Sequence, residues 1–270
     1  MPRGIIIGAR GFIGSALVAE AIRRGWDALP VDRANYSSCR GTDADWLIYA
    51  GGNSRKYLDE RDPAEGFARS VTDVLRVLLD FAPRRFIFLS SGAVYLREDD
   101  PAHNRENAVL APESPTRYGF HKWLAENLVR RYAADHLILR LGGCVGPGLN
   151  KNAIYDLLAG ARWHVHPDSQ FQYLDTRNLA CALFQLHECG LPSGTVLNLS
   201  ARGVVSIRQA AEWAGVAPPT AAEQLPKHRC ELNVERAHAL LSLPETAGVV
   251  QNFIREVRVG AIQLGQRPTS

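Results

Sequence analysis

Tyr118 and Lys122 stand four positions apart in the run SPTRYGFHKWLAE, which covers residues 114–126. On a helix that spacing sets both side chains on one face, so the ammonium lies beside the phenol. A free tyrosine ionises near pH ~10, and a fixed positive charge within a few ångströms favours the phenolate. A phenol tuned in this way can take a proton from a substrate hydroxyl, or give one to a carbonyl, at working pH. The same spacing also arises in any amphipathic helix that happens to carry a Tyr and a Lys. The elements that would position the pair therefore decide what it means.

The amino-terminal segment supplies such elements. Residues 4–7 form a short β-branched run, as suits a parallel strand covered on both faces. Gly8, Ala9, Arg10, Gly11, Phe12, Ile13 and Gly14 follow at once, and helical periodicity begins at Ser15. Strand, glycine-rich turn and helix in that order make a dinucleotide-binding context. Gly8 permits the tight turn, Gly11 lets the backbone approach a pyrophosphate, and Gly14 lets helix and strand pack closely. The N–H groups that open the helix then face the phosphates. The spacing is G-x-x-G-x-x-G, which differs from the G-x-G-x-x-G of many dehydrogenases.

Asp32 ends a second apolar stretch at 28–31, roughly 20 residues past the glycines, where a carboxylate accepts the ribose hydroxyls of NAD. Arg33, or Arg10 inside the turn, could instead receive a 2′-phosphate. The carboxylate would repel that group, so NAD is the expected cofactor, with NADP left open.

With these motifs in place, the chain resembles the extended short-chain dehydrogenase/reductases, the NAD-dependent epimerase/dehydratase family. The resemblance rests on GARGFIG (8–14), DWLIYAG (45–51), FLSSGAVY (88–95), YGFHK (118–122) and LRLGGCVGPG (139–148), in that order, and fades beyond about residue 200. It implies a Rossmann-type α/β fold, a doubly wound parallel sheet with a small C-terminal substrate lobe. It also implies Ser91 as the hydroxyl that orients substrate, Tyr118 as acid/base and Lys122 as its partner. Lys122 would also bond the nicotinamide ribose, the 142–145 stretch (Gly142 and Val145 included) would line the nicotinamide, and Ala50 and Gly51 would border the cofactor.

The chain departs from the family pattern in four places. Ser70 stands where relatives carry an Asn that supports a proton-relay water. Only about a dozen residues separate Asp32 from Trp46, too few for both a helix and a strand, so the sheet should be one edge strand short. Gly92 and Ala93 occupy the places of the Asp-Glu pair of 4,6-dehydratases, leaving no base to abstract a proton beside a carbonyl. Dehydration and decarboxylation are therefore disfavoured against epimerisation, ketone reduction or alcohol oxidation. Phe171 holds the place of an Arg that grips the diphosphate in sugar-nucleotide epimerases; Arg162, Arg202, Lys227 or Arg229 could replace it.

Composition bounds the rest. The chain has 270 residues, 46% apolar and 22% charged, enough for one α/β domain with a lobe or for two small domains. A net charge of +3 without a dense basic block argues against nucleic-acid or membrane partners. The apolar run after Met-Pro-Arg is too short for a signal peptide and reads better as the first strand. Five cysteines, an odd number without C-x-x-C spacing, read as reduced thiols in a cytoplasmic protein. Cys144 lies near the expected nicotinamide with nothing basic beside it. His164 and His166 would face one side of a strand at 163–167, but two imidazoles without a third ligand make no metal site.

The expected organisation is a dinucleotide-binding domain at 1–145 with 172–200, and a substrate lobe at 146–171 with 201–270. Strands are expected near 4–8, 28–32, 46–50, 85–90, 136–141 and 195–199. Helices are expected near 12–25, 64–80, 117–133, 176–188 and 206–215, the second and third of these able to pair in a homodimer. The leading expectation is an NAD(P)-dependent enzyme moving hydride at a secondary alcohol or ketone carbon, most concretely a nucleotide-sugar epimerase or ketoreductase. The alternatives are a reductase of a non-nucleotide carbonyl compound and a non-catalytic dinucleotide-binding sensor.

Overall fold

The computed structural model describes residues 3–53, 56–113 and 116–266. In chain order they form β1 (Gly4–Ile7), α1 (Phe12–Arg23), β2 (Ala28–Val31), α2 (Tyr36–Cys39), β3 (Trp46–Tyr49), α3 (Lys56–Arg61), α4 (Pro63–Phe67) and α5 (Asp73–Asp80). A π-helical turn at Ala68–Thr72 joins α4 to α5. β4 (Arg85–Ser91), a 3₁₀ turn at Gly92–Val94, α6 (Arg117–Tyr132), β5 (His136–Leu141), β6 (Gly143–Val145) and α7 (Ala153–Leu158) come next. Then follow β7 (Gln170–Phe171), β8 (Tyr173–Asp175), α8 (Thr176–Glu188), β9 (Thr195–Leu199), β10 (Val205–Ser206) and α9 (Ile207–Ala214). A 3₁₀ turn at Thr220–Gln224, β11 (Arg229–Cys230), α10 (Glu235–Leu240) and α11 (Thr246–Arg258) complete the order.

The chain divides into two compact units, residues 1–97, 106–141 and 180–198 in the first, and 98–105, 142–179 and 199–270 in the second. Relative to the expected division, 98–105, 142–145, 172–179 and 199–200 fall in the second unit. For the β6 and β8 stretches the cause is their own pairing: β6 pairs in parallel with β8 in a two-stranded sheet of its own, apart from the large sheet.

The first unit is built on a six-stranded sheet in the order β2-β1-β3-β4-β5-β9. The pairs β2–β1, β1–β3, β3–β4 and β4–β5 run parallel. Because a parallel strand is covered on both faces, it needs apolar residues throughout. β1 and β3 meet this demand, each buried at all four positions. Ile5, Ile7, Leu47, Phe86, Phe88 and Ile138 join Val74 and Val77 of α5 and Ala125 and Val129 of α6 in one core cluster. Gly4 is fixed by this packing, since a Cβ there would lie 1.9 Å from the Trp46 ring.

The sheet ends at β2 as expected. Between Asp32 and Trp46 the chain has room only for the four-residue α2, and β2 is left as an edge with Pro30 exposed on it. The helix expected over 64–80 is observed as α4, the π turn and α5 in succession.

The second unit holds the β6–β8 pair, a three-stranded sheet in the order β10-β7-β11, and α7, α9, α10 and α11. α9 opens on a capping box between Ser206 and Gln209, and closes at Gly215 with φ +62°. The strand expected at 163–167 is absent: Trp163 and His166 are buried, whereas His164 is exposed. Pro167 and the turn after it end any extended run there, so the two imidazoles do not share a face. Gln172 separates β7 from β8, and its side-chain amide pairs with both backbone groups of Leu232.

Candidate active site

The glycine turn is held by close packing. Gly8 has φ +81°, which disfavours any side chain, and a Cβ there would lie 2.9 Å from the Ala50 carbonyl and the Gly51 nitrogen. A Cβ on Gly14 would lie 2.0 Å from the Gly8 oxygen, so α1 can start against β1 only with glycine at that position. α1 begins after Gly11 with no side-chain cap and no acidic residue in its first turn. The helix's own first turn thus leaves its opening N–H groups uncapped by side chains, as a pyrophosphate cradle requires. Gly11 is exposed, and Phe12 and Ile13 are half-buried at this end of the helix.

Asp32 follows β2. One carboxylate oxygen accepts the Ala34 amide at 2.7 Å and the other pairs with Arg10 Nε at 2.6 Å. Arg10 remains largely exposed, 82% for its side chain, and Arg33 is exposed beside it. The carboxylate expected to accept the ribose hydroxyls and one cation able to hold a 2′-phosphate thus sit against each other. Ala50 and Gly51 are half-buried at the end of β3.

Ser91 ends β4 and Tyr118 lies in the first turn of α6, 9% and 8% exposed. Ser91 Oγ accepts the Ala93 amide at 3.2 Å, which caps the 3₁₀ turn at Gly92–Val94. Thr116 caps α6 by accepting the Gly119 amide at 3.0 Å. One turn into the helix, Lys122 reaches back to the strand and its Nζ donates to the Leu89 carbonyl at 3.1 Å. The ammonium lies 6.0 Å from the centre of the Tyr118 ring and 5.1 Å from that of Phe88. Lys122 therefore ties the tyrosine's helix to the serine's strand.

The charge on Lys122 is contested. Burial pushes its pKa down to about 8, while Glu126 and then Asp59 hold it up. Glu126 is fully enclosed and accepts bonds from Ser90 at 2.7 Å and from Arg140 at 2.9 and 2.8 Å. Arg130 adds a third cationic contact at 2.8 Å. Burial opposes the Glu126 carboxylate, yet Arg140 and the other donors hold its pKa below the usual carboxylate range.

Lys56, Asp59 and His121 went unnoticed in the sequence. Lys56 Nζ lies 5.7 Å from the Tyr118 ring centre, so the phenol has two ammonium groups near it. Asp59 and His121 meet at 2.5 Å in the interior. The signal available for His121 was its place inside the Tyr118–Lys122 spacing; nothing local marked its partner, 62 residues away.

The other expected positions fall as follows. Ser70 is buried in the π turn, and its hydroxyl has no hydrogen-bond partner among the described residues. Gly142 and Val145 belong to the second unit. Val145 has no exposed surface, and a Cβ on Gly142 would lie 2.6 Å from Ser200 Oγ. Burial and the nearby Asp175 push the Cys144 thiol up to about 12, the reverse of what activation requires. Lys227 pairs with Asp168 at 3.0 Å, Arg202 with Glu245 at 3.8 Å, and Arg229 with Glu231. Among the described residues, no group of three or more His, Cys, Asp or Glu side chains is placed to hold a metal ion. No helix among them is long and apolar enough to cross a membrane.

The model of the NAD dependent epimerase/dehydratase family matches residues 5–67 and 47–163. Comparison with curated protein sequences gives no match. Among solved structures, MoeE5 in complex with UDP-glucose and NAD superposes with a TM-score of 0.78 at 19% identity, covering 96% of this chain and 99% of its own. A UDP-galactose 4-epimerase gives 0.74 at 20% identity, with 96% and 99% covered. The dTDP-4-dehydrorhamnose reductase of Bacillus anthracis, in complex with NADP, gives 0.77 at 17% identity, with 94% and 98% covered. At such identities the likeness is one of fold.

Proposed function

Because the chain belongs to the NAD dependent epimerase/dehydratase family, we propose that it transfers hydride between a nicotinamide cofactor and a secondary alcohol or ketone carbon of a nucleotide sugar, as an epimerase or a ketoreductase. The observation that carries this reading is the Lys122 bridge from the Tyr118 helix to the Leu89 carbonyl, two residues before Ser91. The first unit is the cofactor-binding part, with the turn at Gly8, Gly11 and Gly14 holding the pyrophosphate and Asp32 the adenosine ribose. The second unit supplies the substrate pocket.

In oxidation, Tyr118 takes the hydroxyl proton of the substrate while Ser91 donates a hydrogen bond that fixes the oxygen. Lys122 stabilises the phenolate that does this work. In reduction the phenol returns a proton to the same oxygen. Bound NAD(P) supplies or accepts the hydride. Gly92 and Ala93 put no acidic group after Ser91, which keeps the chemistry to hydride and proton transfer.

Two solved structures of this fold carry nucleotide sugars or reduce one by name, which supports the substrate class. A second reading, reduction of a carbonyl compound without a nucleotide, is favoured by the ion pairs that occupy Lys227, Arg202 and Arg229. The two readings separate on a panel of UDP- and dTDP-sugars against simple ketones, followed by product analysis and by whether free NADH accumulates. An epimerase re-reduces its intermediate in place and releases none. Tyr118→Phe should remove turnover and leave cofactor affinity nearly intact; retained turnover would reject the mechanism.

The homodimer is proposed to form through α5 and α6, where Leu79 and Tyr132 are exposed at 66% and 51%. Light scattering of the wild type and of Leu79→Glu tests it, the variant being expected to run as a monomer.

A further inference from the structure

Ser91 lies inside a tight bend that leaves β4 at Ser90 and comes back to the core at Tyr95. Two local bonds shape the bend. The Ala93 amide donates to Ser91 Oγ at 3.2 Å, and the Tyr95 amide donates to the Gly92 carbonyl at 3.0 Å. Both ends of the bend are then tied, through side chains, to one buried ion pair. At the start, Ser90 Oγ donates to Glu126 Oε1 at 2.7 Å. At the far end, the Tyr95 hydroxyl accepts Arg140 Nη1 at 2.8 Å. Arg140 uses its other two nitrogens, Nε and Nη2, to reach Glu126 at 2.9 and 2.8 Å. Ser90, Glu126, Arg140 and Tyr95 thus close a circuit of hydrogen bonds that begins and ends on the segment carrying Ser91.

The sheet register brings these groups together. Ser90 of β4 is the partner of Arg140 of β5, so the two side chains stand on one face of the sheet. Glu126 of α6 meets both of them there. The Arg140 guanidinium also lies over the Tyr95 ring, 4.9 Å from its centre. The Tyr95 hydroxyl donates in turn to Asn198 Oδ1 of β9 at 2.8 Å. Tyr95, Glu126, Arg140 and Asn198 are all buried, so water is not at hand to replace a lost partner.

We propose that Tyr95 is a positioning residue for Ser91: its hydroxyl, held by Arg140, fixes the far end of the bend and so aims the serine oxygen. The proposal rests on the hydride-transfer reading, in which Ser91 fixes the substrate oxygen. The Tyr95 ring fills the core with or without its hydroxyl, whereas only the hydroxyl joins the circuit. Removing that one oxygen opens the circuit, and Arg140 still keeps both of its bonds to Glu126. The Lys122 bond to the Leu89 carbonyl stays in place as well, so α6 remains anchored to β4.

The test uses the full chain saturated with NAD, with UDP-glucose, UDP-galactose and dTDP-glucose as probes. Tyr95→Phe should lower kcat by about tenfold or more, with KM for the sugar and Kd for NAD unchanged. In a Ser91→Ala background the same change should cost nothing further, the two rates agreeing within about twofold. Equal losses in both backgrounds, or full turnover in Tyr95→Phe, overturn the proposal. Ser91→Ala turning over like the wild type rejects the catalytic reading of Ser91, and the proposal with it. Amide hydrogen exchange gives a second readout that needs no sugar. In Tyr95→Phe the Ala93 amide should exchange at least about tenfold faster while the amides of α6 hold their rates. An unchanged Ala93 rate, or a uniform rise through α6 and β4, overturns the proposal. If Tyr95→Phe does not fold, Arg140→Lys takes its place, because an ammonium keeps a charge for Glu126 but lacks the fork that spans to the Tyr95 hydroxyl. The same outcomes then decide.

Discussion

The Lys122 Nζ donates to the Leu89 carbonyl at 3.1 Å, a bond that fixes an ammonium against a strand interior where burial disfavours charge. Its pKa lies near 8 against an ordinary 10.5, so the charge is lost as pH rises through about 8. Turnover should hold up to that point and decline above it, which a pH–rate profile at saturating cofactor checks. The stability effect runs in the opposite sense. The unfolded chain binds the extra proton between about 8 and 10.5, so this group's contribution to stability improves as pH rises across that window.

Gly14→Ala sets a methyl group 2.0 Å from the Gly8 oxygen, a backbone atom that cannot swing away. Either α1 lifts from β1 or the turn changes shape. The expected outcome is loss of NAD affinity by at least roughly tenfold, or ~1.4 kcal/mol, with a lowered melting temperature. Isothermal titration and thermal unfolding read the two effects separately.

Glu126 and Arg140 form a two-pronged pair, 0% and 2% exposed for their side chains. Removing Arg140 leaves the buried carboxylate with only Ser90 and the partly exposed Arg130, and breaking a buried pair costs about 3–5 kcal/mol. Arg140→Met should therefore destabilise by roughly that amount in urea unfolding. Glu126→Leu combined with Arg140→Met should recover much of the loss.

Asp32 should set cofactor choice. With Arg10 Nε 2.6 Å away, Asp32→Ala would free a guanidinium for a 2′-phosphate and remove the carboxylate that repels it. The ratio of NADP to NAD affinity is expected to rise by at least about tenfold. Paired dissociation constants measure it directly.

Legibility in the sequence followed the range of the physics involved. Continuous apolar runs such as residues 46–49 and 86–89 mark buried parallel strands by themselves, and the large sheet was readable from them. The glycine turn was equally plain, because strand, turn and helix are contiguous. Where the partner lies far along the chain, local pattern is silent. Asp59 reads as one more acid on a charged helix, and His121 as an unremarkable residue between Tyr118 and Lys122. The Trp163–His166 alternation suggested a strand, but burial of Trp163 and His166 was won by side chains in an irregular segment. Two-residue strands such as β7 and β10 lie below what any periodicity can register.

The shortened connection after Asp32 leaves β2 at the border of the sheet, and Pro30 lies in its middle. The neighbouring Val31 carbonyl points inward and accepts the Gly8 amide, so alternation turns the Pro30 backbone outward. Proline has no N–H to offer there, and its carbonyl already accepts the Asn35 side-chain amide at 2.9 Å. A stray extended peptide thus finds neither donor nor acceptor at the centre of this rim. A sheet cut one strand short has been given protection against edge-to-edge aggregation by a single ring and a single amide.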